Sequence, residues 1–505
     1  MTEAGNWLDR AVAWVSPSRG AARLQARVAI GAMLAYDGAR KSRREDGWLT
    51  SGTSADAEIS AAHTLLRERA RDLVRNNPHA AKGVAVLVAN KIGSGILAQA
   101  NGANKRANKR LDARWDRFTE NCDLYGRLDL FGIQSLAERT RCESGEALIR
   151  FVDTKRTGPG EVGFRLQVLE PDFIDSSKNT TRGEPVIRNG IEYDRFGVPT
   201  AYWLFDVHPG ENGIVTFRRG STSSRVPKAE ILHYFKPLRA GQSRGVTDFA
   251  SVMVRLRALD DYDDAELMRK KIAACLAAFV TSSVNLPGVA IAPTTVDAEG
   301  RRVEQFAPGM VGYLKPGEMI EFTDPKPSGD YKDFNAVQLH AIAAGLNMPY
   351  ELLTGDLSEV TYTSHRGGLV QFRGMVEADQ WQIVIPQLCR PIWRRFVAEA
   401  NGVAVGEEID LETPAVFTPP RFGLLDPAKE VPAMIAAIQG GIKTWPDTIR
   451  REGYDPDETL DEIEAWQRQL TERGIVITSD ARTQSTPTAP APVDPEPEPA
   501  VRRAA

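Results

Sequence analysis

The chain is poor in the residues that most often carry chemistry. It has four cysteines, Cys122, Cys142, Cys275 and Cys389, far apart and without a CxxC pair. Neither a zinc site nor a disulfide framework is expected, and the thiols read as reduced, as in a cytoplasm. The six histidines, His63, His79, His208, His233, His340 and His365, show no HExxH or comparable spacing, so the expectation is no metal and no cofactor. No GxxxxGK[ST] sequence occurs, which excludes holding ATP phosphates in the P-loop manner. Long apolar runs are also missing. The longest, Ile272 to Val280, covers nine residues, where a membrane-spanning helix needs about twenty. Near the start, Asp9, Arg10 and Arg19 interrupt any signal-peptide pattern. Charge of one sign is lacking too: 63 Lys and Arg face 67 Asp and Glu, a formal net charge of −4. A dedicated nucleic-acid binder is not indicated, and a role with DNA would rest on local patches or on surfaces that avoid binding.

What remains is a 505-residue chain with enough apolar content for about three domains. From Asp56 to Arg75, the spacing of Ile59, Leu65, Leu66, Leu73 and Val74 predicts an amphipathic helix ended by Asn76, Asn77 and Pro78, with the apolar segment Val84 to Ile92 after it. Between Asn104 and Glu120, Lys105, Arg106, Lys109, Arg110, Arg114 and Arg117 put a basic stripe on a helix that also carries Leu111, Trp115 and Phe118. From Ser144 to Lys236 the texture is strand-rich, with Leu148 to Val152, Phe164 to Leu169, Tyr202 to Phe205 and Ile231 to Phe235 as strands. Gly245 to Val280 reads as one long helix. It carries an acidic band, Asp260, Asp261, Asp263, Asp264 and Glu266, followed by a basic one, Arg269, Lys270 and Lys271. After a Pro- and Gly-rich insert, helices are expected at Phe334 to Leu346, Arg366 to Glu399, Pro427 to Gln439 and Asp457 to Gln469. Asp480 to Ala505 has almost no large apolar residue and reads as a disordered tail.

Three patterns suggest chemistry. Gly241, Gln242, Ser243, Arg244 and Gly245 fit GxSxG, and Asp356 and His365 follow in hydrolase order, so a serine hydrolase using Ser243 is the alternative function. Against it, Pro237 to Ala240 separate the motif from its strand, and short patterns recur by chance in a chain with 42 glycines. Gly93, Ser94, Gly95 and Ala98 spell GxGxxA, but Gln99, Asn101, Gly102 and Asn104 read as a polar loop and not as the helix a dinucleotide turn must open. A third reading, DNA binding through Lys105 to Arg117, sits poorly with the near-neutral total. The acidic band is no metal site by itself, because carboxylates on successive helix positions point in different directions, and a solvated or subunit-facing band is expected.

The remaining motifs resemble a family, the lambda-type portal proteins of tailed phages. The resemblance begins with Tyr36, Asp37, Gly38, Ala39, Arg43, Arg44, Gly47 and Trp48. It continues through Leu66, Arg67, Arg69, Ala70, Arg71, Asp72, Leu73, Val74, Arg75, Asn76, Asn77 and Pro78. Further strings are Gly93 to Ile96, Glu170 to Asp172, Gly241 to Val246 and Met348 to Asp356, so both enzyme-like patterns fall inside the resemblance. Thr361 to Arg366 is similar to the family's Tyr-Ser-Ser-x-Arg, with Thr363 in place of a serine.

The resemblance covers roughly Tyr36 to Ala400 and implies an α+β portal fold with a mixed α/β wing, a helical stem, a small α/β clip and a helical crown, assembled as a ring. The implied division is an N-terminal arm (residues 1–55), wing (56–245, strand-rich over 144–236), stem helix (246–280), clip (281–333), second stem helix (334–347), wing and channel-facing element (348–425), crown (426–479) and disordered tail (480–505). It also implies a channel at a capsid vertex for DNA packaging, head–tail joining and genome ejection, and no enzyme. The subunits, usually twelve, would sit in the virion after assembly in the host cytoplasm. Partners would be double-stranded DNA, the terminase, a neck or head-completion protein, the scaffold and the major capsid protein, with no membrane. The charge bands would tune the stem or channel, and Thr363, Ser364, His365, Arg366 and Arg373 would approach the bore. Twelve copies at −4 each carry a formal −48, and like-charge repulsion of that kind keeps DNA off the walls where a basic bore would hold it.

Overall fold

The computed structural model describes residues 14–19, 22, 52–154, 162–180, 185–211, 222–274, 278–281, 311–314, 331–401 and 413–475. The Tyr36–Trp48 string, most of the 1–55 and 281–333 segments, Cys275 and the 480–505 tail lie outside them. The chain divides into Met1–Glu58 and Ile59–Ala505.

Two helices, α1 (Ala55–Asn76) and α2 (Pro78–Lys91), are separated where the breaker was expected. Asn77 accepts a hydrogen bond from the Ala80 amide at 2.8 Å, and Pro78 takes the first helical position, where its missing N–H costs nothing. The short strand β1 (Leu97–Ala100) precedes α3 (Lys105–Glu120), capped by Asn104, and α4 (Leu130–Ser144), capped by Asp129. Gln99 is thus in a strand and not in the expected polar loop. β1 pairs antiparallel with β11 (Ala415–Thr418), remote in sequence.

One antiparallel sheet has the order β3 (Phe164–Leu169), β2 (Glu146–Asp153), β8 (Ile231–Phe235). A second runs β4 (Val186–Arg188), β5 (Ile191–Tyr193), β6 (Pro199–Phe205), β7 (Ser223–Pro227). Strand alternation explains how the first sheet is buried on both faces. Leu148, Leu169 and Ile231 pack with Ile191, Tyr202 and Leu204 of the second sheet, while Ala147, Ile149, Phe151 and Phe164 point the other way. There they meet α3 and α4. The π-helical segment Gln380–Cys389 and α9 (Arg390–Asn401) complete this layer. Trp115 sits at its centre, edge-on to Trp393 and Phe396 with centroids 4.9 Å away in both cases.

The expected helix over 245–280 is shorter: α5 spans Met253–Ala274. Residues before it are held in turns because Thr247 Oγ1 and the Asp248 amide both donate to the Cys142 carbonyl, tying this stretch to the end of α4. Ala278–Thr281 is a strand, β9, parallel to β10 (Val311–Leu314). α6 (Tyr331–Gly345) and the short α7 (Tyr350–Thr354) return to the core. The single helix expected over 366–399 instead starts at α8 (Tyr362–Asp379), widens into the π-helical segment around Pro386, which has no N–H to donate, and resumes as α9. The second core packs α1, α2, the base of α5, α6 and α8 around Phe249, Leu256, Ile342 and Phe372. Last come α10 (Pro427–Gln439), α11 (Trp445–Arg451) and α12 (Pro456–Glu472), none with a buried residue. Among the described residues, no helix is long and apolar enough to cross a membrane.

Candidate functional site

The charged helix pair α5–α6 is held by its own acidic band. Asp263 accepts hydrogen bonds from the Tyr331 hydroxyl and from Asn335 Nδ2, each at 2.9 Å, and Lys270 lies over the Tyr331 ring at 5.1 Å. Asp260 accepts from Asn77 Nδ2 at 2.7 Å, fixing α5 to the α1–α2 corner. Glu266 takes Arg269 Nε at 2.7 Å, and this contact holds its carboxyl below the usual range. Asp261 pairs with Arg257 at 3.0 Å on the exposed side, and Asp264 and Lys271 are exposed. The band is therefore not uniformly solvated: 3.6 residues per turn send Asp260 and Asp263 inward and Asp261 and Asp264 outward.

The second predicted group opens α8. Thr361 Oγ1 accepts from the Ser364 amide at 3.3 Å and Ser364 Oγ accepts from the Thr361 amide at 3.2 Å, a capping box, with Thr363 exposed beside it. His365 is half-buried. Arg366 reaches Glu430 at 3.6 Å, and Arg373 donates to the Gly423 carbonyl at 3.0 Å while covering the Phe422 ring. Arg366 is thus engaged with the first turn of α10 and Arg373 with the segment leading into it.

Beneath the helix pair lie two buried ionic networks. In the first, Arg244 donates through Nε to Glu146 at 2.8 Å and through Nη1 to Ser176 and the Asn189 carbonyl, while His233 and the Gly245 amide take the other Glu146 oxygen at 2.8 and 2.7 Å. Burial alone would raise the Glu146 carboxyl; Arg244 and His233 overcome it and hold it well below the carboxylate range. In the second, Lys91 bridges Glu138 and Asp379 at 3.1 and 2.9 Å, Arg141 bridges Glu138 and Asp248 at 2.9 and 2.8 Å, and Lys236 closes on Asp379 at 2.8 Å. The Tyr234 hydroxyl also donates to Glu138.

These networks account for the GxSxG pattern. A Cβ on Gly245 would stand 2.2 Å from the Gly145 carbonyl oxygen, so the glycine is required by a backbone crossing. Gln242 accepts from the Leu238 and Arg239 amides and donates to the Arg244 carbonyl, shaping the turn that delivers Arg244. Turns and not a helix follow Ser243, and Asp356 is occupied with the Ser358 amide, so the strand–elbow–helix setting of a hydrolase nucleophile is missing. The GxGxxA pattern likewise leads into β1. Of the basic stripe on α3, Lys105 and Lys109 pair with Asp457 and Asp461 of α12 at 3.8 and 3.1 Å, so those two cations already have partners within the chain.

Strings distant in sequence meet in space. Arg67 and Arg71 of α1 clasp Asp172 at 3.0 and 2.6 Å, and Arg71 also reaches Glu170 at 3.2 Å. Glu170, Asp172 and His208 could ring a cation, and the Arg71 guanidinium already contacts both carboxylates. Sequence reasoning missed Lys91, Glu138, Arg141, Glu146 and Asp379. The signal for Glu138 and Arg141 was their helical spacing from Leu130, Ile133 and Ala137, on the face that turns out to be buried.

The family model for the phage portal protein, lambda family, matches residues 41–380. A probable portal protein of Halomonas phage phiHAP-1 is 28% identical over 461 residues, covering 86% of this chain and 87% of the relative. The portal protein of Escherichia phage N15 is 22% identical, covering 82% and 85%. Portal protein B of Escherichia phage lambda is 23% identical, covering 63% and 66%. Among solved structures, the neck of a native gene transfer agent particle computed with C12 symmetry aligns with a TM-score of 0.38 at 15% identity, over 77% of this chain and 94% of that one. With the family model spanning both buried networks and the Arg67–Asp172 clasp, this chain belongs to the lambda family of phage portal proteins.

Proposed function

We propose that the portal function is exercised by a ring, of twelve copies, at one vertex of the virion capsid, with double-stranded DNA passing through its bore. In this reading α5 and α6 form the stem, the segment between them the clip, α8 faces the channel, and α10–α12 form the crown. Terminase, a neck or head-completion protein, scaffold and major capsid protein are the partners, and assembly takes place in the host cytoplasm. The observation that carries the reading is the helix pair itself. Tyr262, Asp263 and Lys270 face α6, which leaves Val254, Ala258, Ala265 and Met268 exposed on the far side of α5. On α6, Tyr331 and Asn335 face α5, leaving Val337 and Ala344 exposed on its far side. Exposed apolar side chains thus lie on two opposite sides, interspersed with Arg257, Asp261 and Asp264 on α5 and His340 on α6, and one copy's α5 set against the next copy's α6 covers both. That is a head-to-tail contact, the kind that closes a ring.

The test is the mass and shape of the purified full-length chain by light scattering and negative-stain microscopy, alone and with its scaffold. Rings with a central hole and a mass about twelve times 55.5 kDa are expected. A monomer that persists with scaffold present would overturn the reading.

A further inference from the structure

The C-terminal helices α10–α12 have no buried residue, and Leu460 and Trp466 of α12 are more than half exposed. Polar contacts join α12 to the strand-bearing core, and one stripe of α3 supplies most of them. Lys105, Lys109, Asp112 and Asp116 follow one another at helical spacing along that stripe. Its first half matches α12: Lys105 and Lys109 meet Asp457 and Asp461. Its second half does not. Asp112 and Asp116 stand against Asp455 and Glu458, the opening turn of α12, so four carboxylates share one junction.

Neighbouring residues of β1 hold this junction together. Gln99 Nε2 donates to Asp455 at 2.6 Å, and the Ala100 amide donates to Asp112 at 2.7 Å. The charged groups around the quartet are Lys105, Lys109 and Glu120 on α3 and Asp457, Asp461 and Glu462 on α12, and β1 brings only the Gln99 side chain and the Ala100 amide.

We propose that this α3–α12 junction is a pH-responsive latch, which grips the C-terminal helices when the Asp112, Asp116, Asp455 and Glu458 quartet carries a proton and loosens its grip when it does not. Burial, with the charges of Asp116, Asp455 and Glu458, pushes the Asp112 carboxyl up from 3.8 to about 6 against the opposing Ala100 N–H. Once α12 moves off, the Asp455 and Glu458 charges are gone while Asp116 stays beside Asp112 on α3, so the value falls part of the way back. The docked form therefore binds a proton that the undocked form releases. Docking tightens as pH falls through about 6 and is weakest above it. The exposed lysine pairs opposite are too weak to make the contact permanent.

The test places spin labels at Ala113→Cys and Ala465→Cys in the full chain with Cys275→Ser, diluted with unlabelled chain, and reads the α3–α12 distance by pulsed electron resonance. Lowering the pH from about 7 to about 5 is expected to raise the docked-to-undocked ratio severalfold, less than the about tenfold that a full return of Asp112 to its ordinary value gives. Lys109→Ala lowers the ratio at both values, bringing the change into the measurable range. Asp112→Asn keeps an acceptor for the Ala100 amide; it raises the ratio at pH 7 and removes most of the pH response. A ratio in Lys109→Ala that does not change with pH, or an Asp112→Asn chain that responds as its parent does, overturns the proposal.

Discussion

Arg244 lies fully buried with its guanidinium on the equally buried carboxylate of Glu146, and through that one pair the turn before α5 is joined to the first residue of the central strand β2. The pair links the base of the charged helices to the sheet. Ser176, Asn189, His233 and the Gly245 amide satisfy its remaining donors and acceptors, as a buried ion pair requires.

Removing one partner strands the other charge in the interior. Arg244→Ala is expected to destabilise the chain by about 3–5 kcal/mol, and Glu146→Gln to do most of the same damage. Ser243→Ala, one position away, leaves ring formation and packaging at the parental level. Thermal unfolding of the three variants checks the order, and equal losses at 243 and 244 would refute it.

Acid should attack the same networks. Glu138, Glu146 and Asp379 are all held below their ordinary values by buried cations, against the upward push of burial. A depressed carboxyl contributes stability that is complete above its unfolded value, 4.5 for glutamate, and is lost as pH falls below it. The melting temperature is therefore expected to drop progressively below about pH 4.5, with a shallower decline in Asp379→Asn.

The helix pair turns on Asp263. Asp263→Ala leaves Tyr331 and Asn335 without their acceptor, and Tyr331→Phe removes one of its donors. The first is expected to cost about 1–2 kcal/mol and the second about 1 kcal/mol. Hydrogen exchange along α6 is the readout, with faster exchange expected in both.

Reversing Arg269, Lys270 and Lys271 together tests the electrostatic role of the basic band. Lys270 leaves the Tyr331 ring, Arg269 leaves Glu266, and the band changes sign. Packaging and ejection rates measured over a range of salt concentrations are expected to shift, most strongly at low salt. Unchanged rates would remove the band from the channel.

Local rules made much of the fold legible. Asn77–Pro78 divides α1 from α2 because Asn caps and Pro starts helices, and the alternation in β2, β3, β6 and β8 marks strands with faces to bury. α4 escaped because Gln134, Glu138 and Arg141 interrupt its apolar period from the buried face itself. α5 starts eight residues later than its pattern suggests, since the competing bonds come from Cys142, more than a hundred residues upstream.

By itself, the sequence determined most of the helices, the longer strands, the charge bands and the portal resemblance, because each of these depends on neighbours within a few turns or on strings long enough to be specific. Only the tertiary structure decided what the motif residues do. Arg71 finds Asp172, Gly245 passes over Gly145, and Asp379 gathers Lys91 and Lys236, all across separations that no local pattern encodes. A charge in the interior is tolerated only where it meets a partner, and for Lys91, Glu146 and Asp379 that partner arrives from elsewhere in the chain as the core folds.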